Sequence, residues 1–192
     1  MSLGKPAEFY ARVRAGILGP ILTPDEVAGC EAILKAMEGL PLSHAAYALA
    51  TAYHETNGTM EPVREAYWLT EDWRKKHLRY WPHYGRGYVQ ITWDFNYAKA
   101  DDKLGLGGTL KAKPDRALEP AIAAGIMRWG MVEGWFACDK VGRHTLARHL
   151  PPVATLEQFK SARRIINGVD KDLLIARHAL QFQAALQAGG WA

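Results

Sequence analysis

The chain has 192 residues, of which 48% are hydrophobic and 23% charged. That balance supports one domain of moderate size with a real core, spanning 1–192, and excludes a disordered chain. Basic residues outnumber acidic ones by 24 to 20, a net charge of +4 that favours encounter with anionic polymers or surfaces. A first short helix is expected over Ala7 to Ala15. Thr23-Pro24-Asp25-Glu26 then reads as a helix start, with Thr23 as N-cap, Pro24 at the first position and Glu26 closing a capping box. Behind it Val27, Ile33, Leu34 and Met37 recur at helical spacing until Gly39. Ser43 is the expected cap of the next helix, which carries the stripe Leu42, Ala45, Ala46, Leu49, Ala52 and Tyr53 and stops at Asn57-Gly58. Its opposite side, His44, Ala48 and Thr51, is small enough to suggest a cleft wall ending in Glu55.

Residues 57 to 91 are rich in Gly, Pro, aromatics and charge, with one short helix expected near Glu71 to Leu78. Val89-Gln90-Ile91-Thr92 alternates like a strand. Further helices are expected after Thr92, over Glu119 to Phe136, over Gln158 to Ile166 and over Lys171 to Gln187. The class is mainly α with a small β element. Cys30 and Cys138 lie far apart in helix-like stretches and are expected to be small core residues rather than a disulfide. The first twenty residues carry Lys5, Glu8, Arg12 and Arg14 and show no apolar signal core. No run approaches the roughly 18 apolar residues of a membrane span, so stable membrane anchoring is not expected.

Three segments carry chemistry. His54-Glu55-Thr56-Asn57-Gly58 places a carboxylate at a helix C-terminus, where the macrodipole and apolar neighbours such as Tyr53 and Met60 disfavour its ionised form, as a general acid needs. The turn that follows brings a second carboxylate into reach, Glu61 or Glu65, and paired carboxylates are the equipment of a glycosidase. Tyr84-Gly85-Arg86-Gly87-Tyr88-Val89-Gln90-Ile91-Thr92 puts Tyr88, Gln90 and Thr92 on one side, with Asn96 one helical turn beyond Thr92. Amide, hydroxyl and aromatic groups on one wall suit a polyhydroxylated ligand or an attacking water; the plainer alternative makes Thr92 a helix cap. Third, Arg164-Ile165-Ile166-Asn167-Gly168 is followed by Asp170 and, two helical turns on, Arg177.

The ordered set HET, then Glu65, then YGRGYVQIT with Asn96 and Tyr97, then INGxD, resembles glycoside hydrolase family 19, and especially its compact phage endolysin and prophage branch. The resemblance runs from about Phe9 to Leu186. It implies a mainly α, lysozyme-like, two-lobed domain with a central cleft and an inverting, single-displacement hydrolysis. By resemblance Glu55 is the general acid, Glu65 the water-activating carboxylate and Thr92 a water holder. Tyr88, Gln90, Asn96 and Asn167 are expected at the substrate, and Asp170 with Arg177 as the charged pair behind the acid. The substrate implied is a polysaccharide, bacterial peptidoglycan before chitin. A disulfide-free chain without a signal suits an endolysin held in the cytoplasm until its release to the cell wall.

Other chemistries fit less well. His54-Glu55 lacks the second histidine of a zinc helix, and His44, His54, His77 and His83 show no ligand spacing, so no metal and no cofactor is expected. The basic clusters Arg74-Lys75-Lys76, Lys111 with Lys113 and Arg163-Arg164 are interrupted by acids, which argues against a nucleic-acid partner. Tryptophans such as Trp68, Trp73, Trp81 and Trp93 fit stacking on sugar rings. A monomer is expected. The remaining alternative is a non-catalytic relative that only binds cell-wall glycan, against which the presence of Glu55 argues.

Overall fold

The helix starts foreseen in the sequence largely form, and some of them are capped by a threonine side chain. The computed structural model describes residues 3–191, so the outermost ends of the expected domain, residues 1, 2 and 192, lie outside the described residues. Helix α1 (Pro6–Arg14) begins on its proline, and α2 (Pro24–Ala36) carries the complete capping box. Thr23 Oγ1 accepts from the Glu26 amide at 3.1 Å while the Glu26 carboxylate accepts from the Thr23 amide at 2.7 Å. Helix α3 (Leu42–Glu55) has Pro41 at its N-cap position. Ser43 is not its cap, because its hydroxyl is buried and donates to the Pro151 carbonyl.

The following helices are α4 (Glu71–His77), α5 (Asp94–Leu104), α6 (Thr109–Ala112), α7 (Pro120–Glu133), α8 (Leu146–His149), α9 (Leu156–Ala162) and α10 (Asp172–Ala188). The helix expected to reach Phe136 stops at Glu133, because Gly134 turns left-handed at φ 66°. The one expected to reach Ile166 tightens after Ala162 into a 3-10 turn, Arg163–Ile165. Two small antiparallel pairs complete the fold: β1 (Val63–Arg64) with β2 (Arg86–Gly87), and β3 (Cys138–Asp139) with β4 (Gly142–Arg143). The alternating segment Val89–Thr92 is not a strand. Gln90 sits at φ 51°, which breaks the extended chain, and Ile91 keeps a single bridge to Arg86. Cys30 is buried as expected, whereas Cys138 is exposed on the β3–β4 hairpin.

Helix α3 is the axis of the core. Every residue from Ser43 to Ala52 is buried, so the face of His44, Ala48 and Thr51 is interior and not a cleft wall. A helix apolar all round belongs inside a domain. Its alanines let α10 pack along it through Ile175, Ala176, Ala179 and Phe182, while α2 packs on both α3 and α7. Gly29 of α2 lies against the loop that leaves α3: a Cβ there would stand 2.1 Å from the carbonyl oxygen of Met60, which is itself fully buried. Among the described residues no helix is long and apolar enough to cross a membrane.

A polar chain ties the β3–β4 hairpin to α9. Asp139 Oδ2 lies 3.4 Å from His144 Nε2, His144 Nδ1 2.8 Å from His149 Nε2, and His149 Nδ1 2.9 Å from Ser161 Oγ. Two imidazoles sharing one hydrogen bond cannot both be cations. Burial first, then the charges of His144 and Arg148, push the His149 pKa down from 6.5 to about 4.

Two outcomes follow from this packing. Gly29→Ala is expected to overpack the Met60 loop by about 1–3 kcal/mol, seen as a Tm loss of about 2–4 °C for each kcal/mol. Because the folded state favours neutral His149, its contribution to stability is complete above pH 6.5 and is lost as pH falls through 4. Melting temperature should therefore decline between those values, and less steeply in His149→Gln.

Candidate active site

Glu55 closes α3, and its partner is a cation that the sequence reading did not single out for it. Arg163, in the 3-10 turn after α9, donates from Nη1 to Glu55 Oε1 at 3.0 Å, with side-chain exposures of 2% and 20% respectively. Arg163 Nε also donates to the Asp170 carbonyl at 2.9 Å, so the guanidinium joins the end of α3 to the approach of α10. The carboxylate thus faces a buried guanidinium, that of Arg163. The expected pair of Asp170 and Arg177 does not form: both side chains are exposed, and neither makes an ion pair among the described residues. Asp170 contributes through its backbone carbonyl, and Arg163 takes the position behind Glu55. A sequence signal for this exists, since Phe159, Ala162, Arg163 and Ile166 share one helical face and Arg163 is the charge set among apolar side chains.

Glu65 follows β1, and both of its oxygens are engaged. Oε2 accepts from the Gly85 amide at 2.9 Å and Oε1 from the Tyr80 hydroxyl at 2.8 Å. Burial first, and then the hydrogen bond to and charge of Glu65, hold the Tyr80 phenol above its ordinary pKa, so it remains the donor. The Glu65 backbone is also fixed: its amide donates to the Gly85 carbonyl at 2.7 Å, and its carbonyl accepts from Arg74 Nε at 3.0 Å. Gly85 is needed for space. A Cβ there would stand 2.8 Å from Gln90 Oε1 and 3.1 Å from Glu65 Oε2, so these two side-chain oxygens flank one glycine.

Beside this cluster opens a cleft of about 390 Å³. It is lined by Gln90, Thr92, Trp93, Phe95 and Asn96 together with Trp135, Phe136 and Ile166. Gln90 Nε2 donates to the carbonyls of Val63 and Gly87, each at 3.1 Å, which ties it to β1 and β2. Asn96 Nδ2 donates to the Thr92 carbonyl at 2.9 Å, leaving its Oδ1 for a ligand. Thr92 does not cap α5; Trp93 takes the N-cap position at φ 72° without a side-chain cap. Gln90, Trp93 and Ala66, the residue after Glu65, all hold left-handed backbone, and strain of this kind collects at functional sites.

Three expected members are placed elsewhere. Tyr88 is fully buried in the core and contributes nothing to the cleft, its hydroxyl having no hydrogen-bond partner among the described residues. Asn167 is exposed, next to Ile166 on the cleft wall but not itself lining it. Glu61 faces a different cavity of about 410 Å³, lined also by Thr23, Asp25 and Glu26. Burial, then the charge and hydrogen bonding of Asp25, push its carboxyl above the ordinary range. Of the two alternatives for the second carboxylate, Glu65 is the one seated beside Gln90.

This architecture is the helical, lysozyme-like fold of the family 19 chitinases. Chitinase C from Streptomyces griseus HUT6037 superposes with a TM-score of 0.58 at 21% identity, covering 94% of this chain and 75% of that one. A mutant of chitinase C gives 0.60 at 22% identity, covering 94% and 91%. A bacterial family 19 chitinase gives 0.51 at 22% identity, covering 97% and 94%. In sequence, Chitinase 5 of Oryza sativa subsp. japonica is 35% identical over 83 residues, an alignment covering 40% of this chain and 28% of the rice protein. No protein-family model matches the chain.

The seating of Glu65 can be tested by a thermal double-mutant cycle. Gly85→Ala is expected to keep the native far-UV circular dichroism and to cost about 1–3 kcal/mol by crowding Glu65 and Gln90. In the Glu65→Ala background the same substitution should cost less, by at least about 0.5 kcal/mol of coupling.

Proposed function

We propose that this chain is a glycoside hydrolase acting with inversion on β-1,4-linked polymers that contain N-acetylglucosamine. The observation that carries the reading is the seating of Glu65 beside Gln90, which lines a cleft with Thr92 and Asn96, in a fold whose similar structures are chitinases. Glu55 serves as general acid. Arg163 engages its Oε1, and Oε2 has no protein partner among the described residues and is left to carry the proton to the glycosidic oxygen. Glu65, held by Tyr80 and Gly85, takes the proton of a water positioned by Thr92, which attacks the oxocarbenium-like centre from the opposite face. Gln90 and Asn96 supply amides for the sugar hydroxyl and N-acetyl groups.

Chitin is the substrate that the named relatives support. Bacterial peptidoglycan, cleaved in host lysis by an endolysin, is the second reading, favoured by the net charge of +4 against an anionic wall polymer.

Mass spectrometry of digests of purified peptidoglycan and of chitin hexamer decides between them. Native protein is expected to release products that Glu55→Gln does not, with turnover lowered about 100-fold or more. Muropeptides ending in reducing N-acetylmuramic acid would assign a muramidase, and short chitin oligomers a chitinase. Products unchanged by the substitution would overturn Glu55 as the acid.

A further inference from the structure

Trp135 and Phe136, which line the cleft together with Gln90 and Asn96, lead directly into the β3–β4 hairpin. The same two residues also line a second cavity of about 260 Å³ with Cys138 and Arg143 of the hairpin, so the cleft lining and the hairpin share one packing surface. Their junction is tight. The His144 amide donates to the Ala137 carbonyl at 3.0 Å, and a Cβ on Gly134 would stand 2.7 Å from Arg143 Cβ and 2.9 Å from the His144 carbonyl oxygen. On the α7 side the Trp135 amide donates to the Gly130 carbonyl at 2.9 Å.

The hairpin is fastened by polar groups. Arg148 holds it to α8, donating to Asp139 Oδ2 at 2.7 Å and to the Gly142 carbonyl at 3.0 Å. His144 and His149 flank α8 and meet at 2.8 Å, and His149 reaches Ser161 of α9 at 2.9 Å. Ser161 lies two residues before Arg163, the partner of Glu55, and five before Ile166 of the cleft lining. The 2.8 Å contact needs one ring nitrogen to donate and the other to accept. A second proton gives both rings an N–H at that point, and two facing donors cannot stay there. Charges reach the pair from every side: Arg148 of α8 and Arg164 of the 3-10 turn oppose a second proton, and Asp139 of the hairpin favours it.

We propose that the His144–His149 pair is an acid-sensitive latch: closed, it holds the hairpin and with it Trp135 and Phe136 in the arrangement that binds glycan, and a second proton releases them. The inference rests on the hydrolase reading and names a regulation of that site. His149 stays with α9 through Ser161, so the parting of the rings moves His144 and the hairpin. The closed latch favours neutral His149, whose pKa falls from 6.5 to about 4, chiefly through burial. It is therefore closed above pH 6.5 and opens as pH falls through 4.

The test uses the full Glu55→Gln chain and two readouts. One is an environment-sensitive maleimide dye on Cys138, which is exposed on the hairpin whereas Cys30 is buried; the other is calorimetric titration with chitotetraose. Lowering pH from 6.5 to 4 is expected to shift the dye emission and to weaken chitotetraose binding about fivefold or more, reversibly and with far-UV circular dichroism unchanged. His149→Gln and, independently, His144→Gln leave only one imidazole at the contact, and each should lose both transitions. Chitotetraose binding by these variants at pH 6.5 reports whether the cleft has survived. Equal acid weakening of binding in the variants would overturn the proposal. So would a dye transition with binding unmoved, or loss of circular dichroism over the same range. Failure of chitotetraose to bind at any pH would instead overturn the glycan reading of the cleft, while the dye still reports the latch.

Discussion

Arg163 places a full positive charge where its side chain is 2% exposed, and Glu55 is the carboxylate that answers it. Removing one partner from a buried pair costs about 3–5 kcal/mol, because the charge left behind is neither solvated nor matched. The end of α3, the turn after α9 and the approach to α10 are therefore held in one arrangement by a single guanidinium. The fully buried α3 supplies the fixed reference, since its ten interior residues leave it no freedom to shift without opening the core. A carboxylate built on such an element keeps its place, and among the described residues only one of its two oxygens is hydrogen-bonded to the protein.

The seat of Glu65 is built differently. Glu65 lies between helices, in the turn after a two-residue strand, where regular hydrogen bonding contributes little. Its position comes from close approach. Gly85 lets two side-chain oxygens crowd one backbone position, Tyr80 and the Gly85 amide occupy the carboxylate, and Arg74 holds the carbonyl behind it. Left-handed residues at Ala66, Gln90 and Trp93 turn the chain sharply enough for all of this to fit. Trp93 packs against this cluster through Tyr80, and the Arg79 guanidinium rests on its ring.

Much of the helical frame was legible in the sequence because capping is local. Thr23 and Glu26 meet within one turn, so the start of α2 could be read directly, as could the stop at Asn57-Gly58. Ser43 misled for the same reason: a serine at a helix start reads as a cap unless a distant carbonyl, here that of Pro151, claims its hydroxyl. The alternation over Val89–Thr92 looked like a strand because periodicity reports which side chains are apolar and not whether a partner strand exists. The β3–β4 hairpin went unseen, being two residues wide on each side and too short to leave a period.

The sequence by itself determined where most helices begin, which stripes they bury, and the side chains available to the site: Glu55, Glu65, Gln90, Thr92 and Asn96. These are matters of residues within a few positions of one another, where propensity and capping act. Only the tertiary structure decided that Arg163 and not Arg177 stands behind Glu55, that Glu65 and not Glu61 sits beside Gln90, and that Tyr88 turns into the core while its neighbours line the cleft. Each of those choices joins segments brought together by the burial of α3 and α10, and a charge finds its partner by distance in space, which the order of residues does not record.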